Sequence, residues 1–321
     1  MIQYLVILLD DASVSFCHYS NDTKERNLMP LGTLKAGIIY AMKENLNIQF
    51  VYPCYELPQD YLEVIDTIDH INIQPACKVD DGDIVVFDCI ADTENAQLRR
   101  GISYVLRIDK FTLFSQVDNV CALLSQVDRL NVVLTDVETF SDEDFVVYKK
   151  VLNKLAVAVE TACLNSKNIQ CNLLTDRMML DRMNNCGAGD TTITLAPDGK
   201  FYICPAFYLE NQEDALGDLK HSIGDLDNGL DIKNSQLYKL DHAPLCHHCD
   251  AYQCKRCVWL NCKLTYEVNT PSHEQCVMAH LERNASRNLL LSIRKHGEFL
   301  PGYDIKEINY LDPFDERKEW A

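Results

Sequence analysis

Six cysteines crowd one stretch of the chain: Cys246, Cys249, Cys254, Cys257, Cys262 and Cys276. Four of them form two Cys-x-x-Cys pairs in Cys246-His-His-Cys249-Asp-Ala-Tyr-Gln-Cys254-Lys-Arg-Cys257. A Cys-x-x-Cys turn aims two sulfurs at one point, with backbone amides facing them. That suits a metal ion or cluster that takes thiolate ligands. A zinc ribbon separates its two pairs by roughly 15–20 residues. Here only four residues intervene, so one zinc could be shared only through a very tight loop. More thiols than one tetrahedral site can use imply two centres, or iron–sulfur clusters. Upstream, Cys204 is followed by Pro205, a pairing that recurs in ferredoxin-type ligand runs. His247 and His248 read as solvent-facing neighbours of the thiols, not as ligands.

The elements that must position these thiols divide near residue 180. Before it, short apolar runs alternate with helical patterns. Strands are expected at Tyr4–Leu9, Ile48–Tyr52, Asp83–Cys89, Ser103–Ile108 and Asn131–Thr135. Helices are expected at Leu31–Asn45, Asp60–Ile68 and Phe111–Leu124. The first of these carries Leu31, Leu34, Ile38, Ala41 and Met42 on one face. Ser141 with Asp144 reads as the capping start of a long helix to about Cys163. Such alternation implies a mainly parallel sheet with helical crossovers. After residue 180, Thr191–Leu195 and Lys200–Ile203 flank the turn Ala196-Pro-Asp-Gly199 and predict a β-hairpin. A helix is expected from after Cys276 to about His296, with Val277, Leu281, Ala285, Leu289 and Ile293 in one row. The expected organisation is an α/β domain over 1–180, a Cys-rich domain over 181–297 and a charged tail over 298–321. The tail carries Tyr303, Tyr310, Phe314 and Trp320.

The chain has 321 residues, 47% hydrophobic and 24% charged, with a formal net charge of -18. Such a surface repels nucleic-acid phosphates and anionic lipid, which sets both aside as partners. The first residues read as a buried strand that ends in Asp10-Asp11, not as a signal peptide. No run approaches a membrane span, so a cytoplasmic location is expected. The 15 cysteines are then not expected to form a disulfide framework. Cys54, Cys77, Cys89, Cys121 and Cys163 are isolated and read as small buried hydrophobes. There is no Gly-x-Ser-x-Gly, phosphate loop or His-Glu-x-x-His. Asp10-Asp11 lies where an α/β active site would sit, though a capping or solvated acidic pair explains it equally.

Taken in order, Cys186, Gly199, Cys204, Cys246-x-x-Cys249, Cys254, Cys257 and Cys276 resemble a SPASM domain, with a central loop tighter than that family's usual spacing. The hairpin Leu195-Ala-Pro-Asp-Gly-Lys-Phe-Tyr-Ile-Cys204 and the later Leu216-Gly-Asp-Leu219 resemble it too. The SPASM domain is the C-terminal module of radical S-adenosylmethionine (SAM) enzymes that modify peptides, and it carries two auxiliary [4Fe–4S] clusters. The resemblance implies one cluster on Cys246, Cys249, Cys254 and Cys276. It implies another on Cys186, Cys204 and Cys257, with a fourth ligand unknown. Cys262 and Cys171 are candidates for it, and Cys262 could equally be a bystander thiol. A radical SAM barrel carries Cys-x-x-x-Cys-x-x-Cys after its first strand. Here Cys17 matches the first position, while Asn21 and Lys24 occupy the other two. The chain therefore resembles a degenerate, partial (β/α) radical SAM barrel followed by a SPASM-like domain, and no SAM is expected at that loop.

More narrowly, Leu8-Leu-Asp-Asp-Ala-Ser-Val-Ser-Phe-Cys-His-Tyr19, Glu44-Asn-Leu-Asn-Ile-Gln-Phe-Val-Tyr-Pro53, Gln253-Cys-Lys-Arg-Cys-Val-Trp-Leu-Asn261 and Ser272-His-Glu-Gln-Cys276 are similar to the CXXX repeat peptide maturase family. That similarity implies an accessory subunit beside a radical SAM maturase, acting on a precursor peptide with cysteine repeats. The competing expectation is a zinc-binding protein-interaction module without a catalytic role.

Overall fold

The computed structural model describes residues 1–21, 23, 25–78, 82–94, 96–209 and 222–305. Lys24, the Leu216–Leu219 segment and the tail aromatics Tyr310, Phe314 and Trp320 lie outside the described residues.

Seven strands run parallel in chain order along one sheet: β1 (Tyr4–Leu8), β2 (Asn47–Val51), β3 (His70–Pro75), β4 (Ile84–Phe87), β5 (Ser103–Ile108), β6 (Arg129–Leu134) and β7 (Gln170–Cys171). β8 (Thr192–Leu195) adds in parallel to the free side of β1, pairing Tyr4 with Thr192 and Ile7 with Leu195. β9 (Phe201–Tyr202) closes the edge antiparallel to β8. The nine-stranded order is β7-β6-β5-β4-β3-β2-β1-β8-β9. β1 is buried at Leu5, Val6, Ile7 and Leu8 alike, as expected of a parallel strand covered on both faces. The expected hairpin is present: Gly199 takes a positive φ of 79°, and its N–H donates to the Ala196 carbonyl at 3.0 Å.

The crossover helices are α1 (Leu31–Glu44), α2 (Gln59–Ile65), α3 (Lys110–Ser115), α4 (Val117–Leu124) and α5 (Asp142–Leu164). The expected Phe111–Leu124 helix is broken at Gln116, whose φ and ψ of -118° and 25° leave the helical region. The expected face of α1 is buried at Leu34, Ile38 and Ala41, but Met42 is exposed. α5 begins with the expected capping box between Ser141 and Asp144.

Beyond β7 come α6 (Thr175–Met179), α7 (Ala206–Leu209), a two-stranded ribbon of β10 (Gly224–Asp225) and β11 (Gly229–Leu230), α8 (Val258–Thr265) and α9 (His273–Arg294). α9 starts before Cys276, so that cysteine lies in its first turn. The cause is a second capping box, between Ser272 and Gln275. α9 packs along α5, where the Tyr148 hydroxyl donates to Glu282 Oε1 at 2.8 Å and the Ser292 hydroxyl donates to Glu160 Oε1 at 2.7 Å. Among the described residues, no helix is long and apolar enough to cross a membrane.

Three isolated cysteines depart from expectation. Cys54, Cys77 and Cys89 are exposed, and Cys54 and Cys77 form a disulfide between the turns that follow β2 and β3. Both turns leave the same end of adjacent parallel strands, which brings the two thiols together without any spacing signal.

Candidate metal centre

The Cys-rich half gathers its thiols in two groups. Cys246, Cys249 and Cys254 form the first, packed with Met183 and Ala243 in a small cluster separate from the main core. Burial pushes the Cys246 thiol up to about 11, with the charge of Cys249 adding to it. Burial likewise pushes Cys254 up to about 12, with Cys246 and Cys249 contributing. The Ala251 N–H donates to Cys249 Sγ at 3.4 Å.

A buried ion network fixes this loop. Asp250 bonds Arg283 of α9 at 2.7 Å and approaches Arg177 of α6 at 3.6 Å. Arg177 also stacks over the Tyr252 ring at 4.2 Å. The Gln253 amide donates to the Ala279 carbonyl of α9 at 2.7 Å. α9 thereby sets His280 against the group, with Nε2 3.4 Å from Cys249 Sγ. The sequence reading missed His280. Its signal was present in Cys276-x-x-x-His280, four residues apart and so on one helix face. His247 and His248 are exposed, as expected.

Cys186, Cys204 and Cys257 form the second group. Each of the Cys204 and Cys257 thiols is pushed well above the ordinary thiol range, first by burial and then by the other charges of this group. Cys204 follows β9 and leads into α7, where the Phe207 N–H donates to the Cys204 carbonyl at 3.1 Å. Cys257 is the N-cap of α8. The N-terminal end of α8 favours a thiolate there. Cys186 is exposed, and its N–H donates to the Lys255 carbonyl at 3.0 Å. The turn after it needs Gly187 at φ 74°, where an added Cβ would meet Thr191 Oγ1 at 2.2 Å. Cys262 is fully buried on α8 with Glu267 as its charged neighbour, and Cys171 on β7 has Asp176, Glu282 and Arg129. Neither is drawn into the second group.

The loop after β1 crosses the C-terminal ends of the strands. Asn21 donates both amide hydrogens to backbone carbonyls, Asp11 at 2.8 Å and Ser13 at 2.9 Å. Asp10 is buried and accepts the Tyr55 hydroxyl at 2.6 Å. Asp11 accepts the Tyr208 hydroxyl at 2.6 Å. The acidic pair thus ties the loop to β2 and to the Cys204 segment. Farther along, His18 Nδ1 donates to the Leu134 carbonyl at 2.7 Å, and Arg107 of β5 donates to the carbonyls of Cys17 at 3.2 Å and Tyr19 at 2.6 Å. Among the described residues, no three His, Cys, Asp or Glu side chains converge tightly enough to hold a single metal ion.

No protein-family model and no curated protein matches the chain. Solved structures do match its fold. Hexahistidine-tagged anSMEcpe with bound AdoMet aligns with a TM-score of 0.61 and 12% identity, over 92% of this chain and 100% of that one. Native anSMEcpe with bound AdoMet and the Kp18Cys peptide aligns with a TM-score of 0.58 and 11% identity, over 91% and 99%. Streptococcus suis SuiB bound to S-adenosylmethionine aligns with a TM-score of 0.42 and 12% identity, over 86% and 75%. The parallel sheet in chain order, extended by a Cys-rich module, is the radical SAM-like partial β/α barrel fold with an additional domain.

Proposed function

We propose that this chain is the iron–sulfur accessory subunit of a radical SAM peptide maturase, acting in modification of a ribosomally made cysteine-repeat peptide. The observation that carries the reading is the two groups of thiols, each beside a buried donor that has no partner of its own. Among the described residues, the Tyr19 hydroxyl and Arg256 Nη1 are buried without a hydrogen-bond partner. Tyr19 lies beside Cys204, and Arg256 separates Cys254 from Cys257 and acts on the charge of Cys246. N–H and O–H donors around sulfur fit a cluster that carries thiolate and sulfide. A four-iron cubane also spreads its thiolates over separate corners, wider than the ligands of one ion.

In this reading Cys246, Cys249, Cys254 and Cys276 hold one [4Fe–4S] cluster, and Cys186, Cys204 and Cys257 hold the other. Bound clusters would supply electron relay or an open iron for a substrate thiol. This chain's residues would orient and shield them. The partner subunit would bring SAM, because Asn21 offers an amide where a thiolate is needed and uses it to fasten the loop.

The test is anaerobic purification with iron and acid-labile sulfide quantitation, together with copurification of a radical SAM partner. A chain with neither iron nor sulfide overturns the reading, as does reductive cleavage of SAM by the isolated chain. A second reading, structural zinc without catalysis, draws on His280 beside Cys249, since mixed sulfur and nitrogen donors suit zinc. A colourless, zinc-containing protein would support it.

A further inference from the structure

The second thiol group lacks a fourth ligand in the reading above, and the loop after β1 carries a thiol into the same neighbourhood. Cys17 has Cys186 as its neighbouring thiol. It is likewise a neighbour of Cys204 and of Cys257. Four cysteines from four separate segments therefore share one neighbourhood: the loop after β1, the glycine turn after α6, the end of β9 and the N-cap of α8. The Tyr208 hydroxyl bond to Asp11 ties the first of these to the third, and the Cys186 N–H bond to the Lys255 carbonyl ties the second to the fourth. The Cys17 backbone is held in place by Arg107 and by the flanking His18 bond to Leu134.

The surroundings point to a ligand and not to four packed thiols. Tyr19 is 2% exposed, its hydroxyl is unpartnered, and it lies beside both Cys17 and Cys204. A buried hydroxyl without an acceptor is costly unless something absent supplies one. A cluster sulfide or a cysteinyl sulfur would do so. The positive charges of Arg107 and Lys255 also act on Cys17. They would offset the negative charge of a cluster bearing four thiolates. Cys262 and Cys171, the other candidates, face carboxylates instead.

We propose that Cys17 is the fourth thiolate of the group formed by Cys186, Cys204 and Cys257, so that one iron–sulfur cluster is held jointly by the β1 loop and the Cys-rich half. This rests on the cluster reading above and deepens it. The one cysteine that matches the SAM triad is then committed to an auxiliary cluster.

The experiment compares the full chain, Cys17→Ala, Cys17→Ser and Cys163→Ala, all purified anaerobically. Iron, acid-labile sulfide and the EPR spectrum of the dithionite-reduced protein are measured for each. Cys17→Ala is expected to keep about half the iron and sulfide of the unaltered chain and to lose one of two EPR signals. The persisting signal from the Cys246 group shows that the variant has folded. Cys17→Ser is expected to shift the affected signal or lose it, because an alkoxide replaces a thiolate. Cys163→Ala is expected to keep both signals. Full iron and an unchanged spectrum in Cys17→Ala, beside an iron-loaded unaltered chain, overturn the Cys17 assignment alone. An unaltered chain without iron or sulfide overturns the cluster reading as well.

Discussion

Cys254 illustrates what a single thiol contributes here. It is half-buried, and its neighbouring thiols are Cys246 and Cys249. Without a metal such a thiol keeps its proton, because a thiolate in that setting is poorly solvated and repelled by its neighbours. Ligation removes the proton and supplies positive charge, so metal binding by these thiols releases protons. Cys254→Ala should therefore lose about half the bound iron, whereas Cys262→Ala should retain it, read by iron and sulfide quantitation of both variants. Gly187 is limiting in a different way. Its positive φ and the 2.2 Å approach of Thr191 Oγ1 leave no place for a methyl group. Gly187→Ala should cost about 1–3 kcal/mol in chemical denaturation and weaken iron retention by the Cys186 group.

At the scale of elements, α9 organises the Cys-rich half through polar groups on its buried face. Arg283 pairs with Asp250, next to Cys249. Asp250→Asn would remove the carboxylate that Arg283 and Arg177 both approach, at a cost of about 3–5 kcal/mol. A denaturant midpoint that does not move would refute that role. Glu282 is the other case. Burial raises its carboxyl from 4.5 to about 7, although Tyr148 and Gln253 hydrogen bonds oppose the shift. An acid with a raised folded pKa binds more protons folded than unfolded. Its contribution to stability is complete below about 4.5 and is lost as pH rises through about 7. Glu282→Gln keeps an acceptor for the Tyr148 hydroxyl and cannot ionise. It should be more stable than the unaltered chain at pH 8, by up to about 3 kcal/mol, and nearly equal to it at pH 4.5. Unfolding of the metal-free protein at the two pH values gives the comparison.

At the scale of the whole molecule, the parts legible in the sequence were those whose pattern is local. β1 and β4 announced themselves as apolar runs, and α5 by its capping box and period. The hairpin was marked by Ala196-Pro-Asp-Gly199. The two-residue strand β7 and the short helix α8 carry too few residues for a period to register, and β8 joining β1 is a long-range pairing that no local pattern encodes. The same limit hid Cys17 among the thiols of the second group, since that meeting is made only by the folded loop. The boundary expected at residue 180 therefore divides the composition but not the packing. β8 completes β1, and α9 covers α5. Residues 1–180 alone would expose the β1 edge, whose Gln3 and Tyr4 N–H groups now bond the Thr191 carbonyl at 2.7 and 3.0 Å. They would also leave the Tyr148 face of α5 bare. An open, apolar parallel edge pairs with other chains. The fragment 1–180 should accordingly be recovered in aggregates by size-exclusion chromatography, while the full chain unfolds in one transition when followed both by far-UV circular dichroism and by visible absorption of the clusters. Two separated transitions, or a soluble monomeric fragment with a cooperative melt, would show instead that the α/β half stands alone.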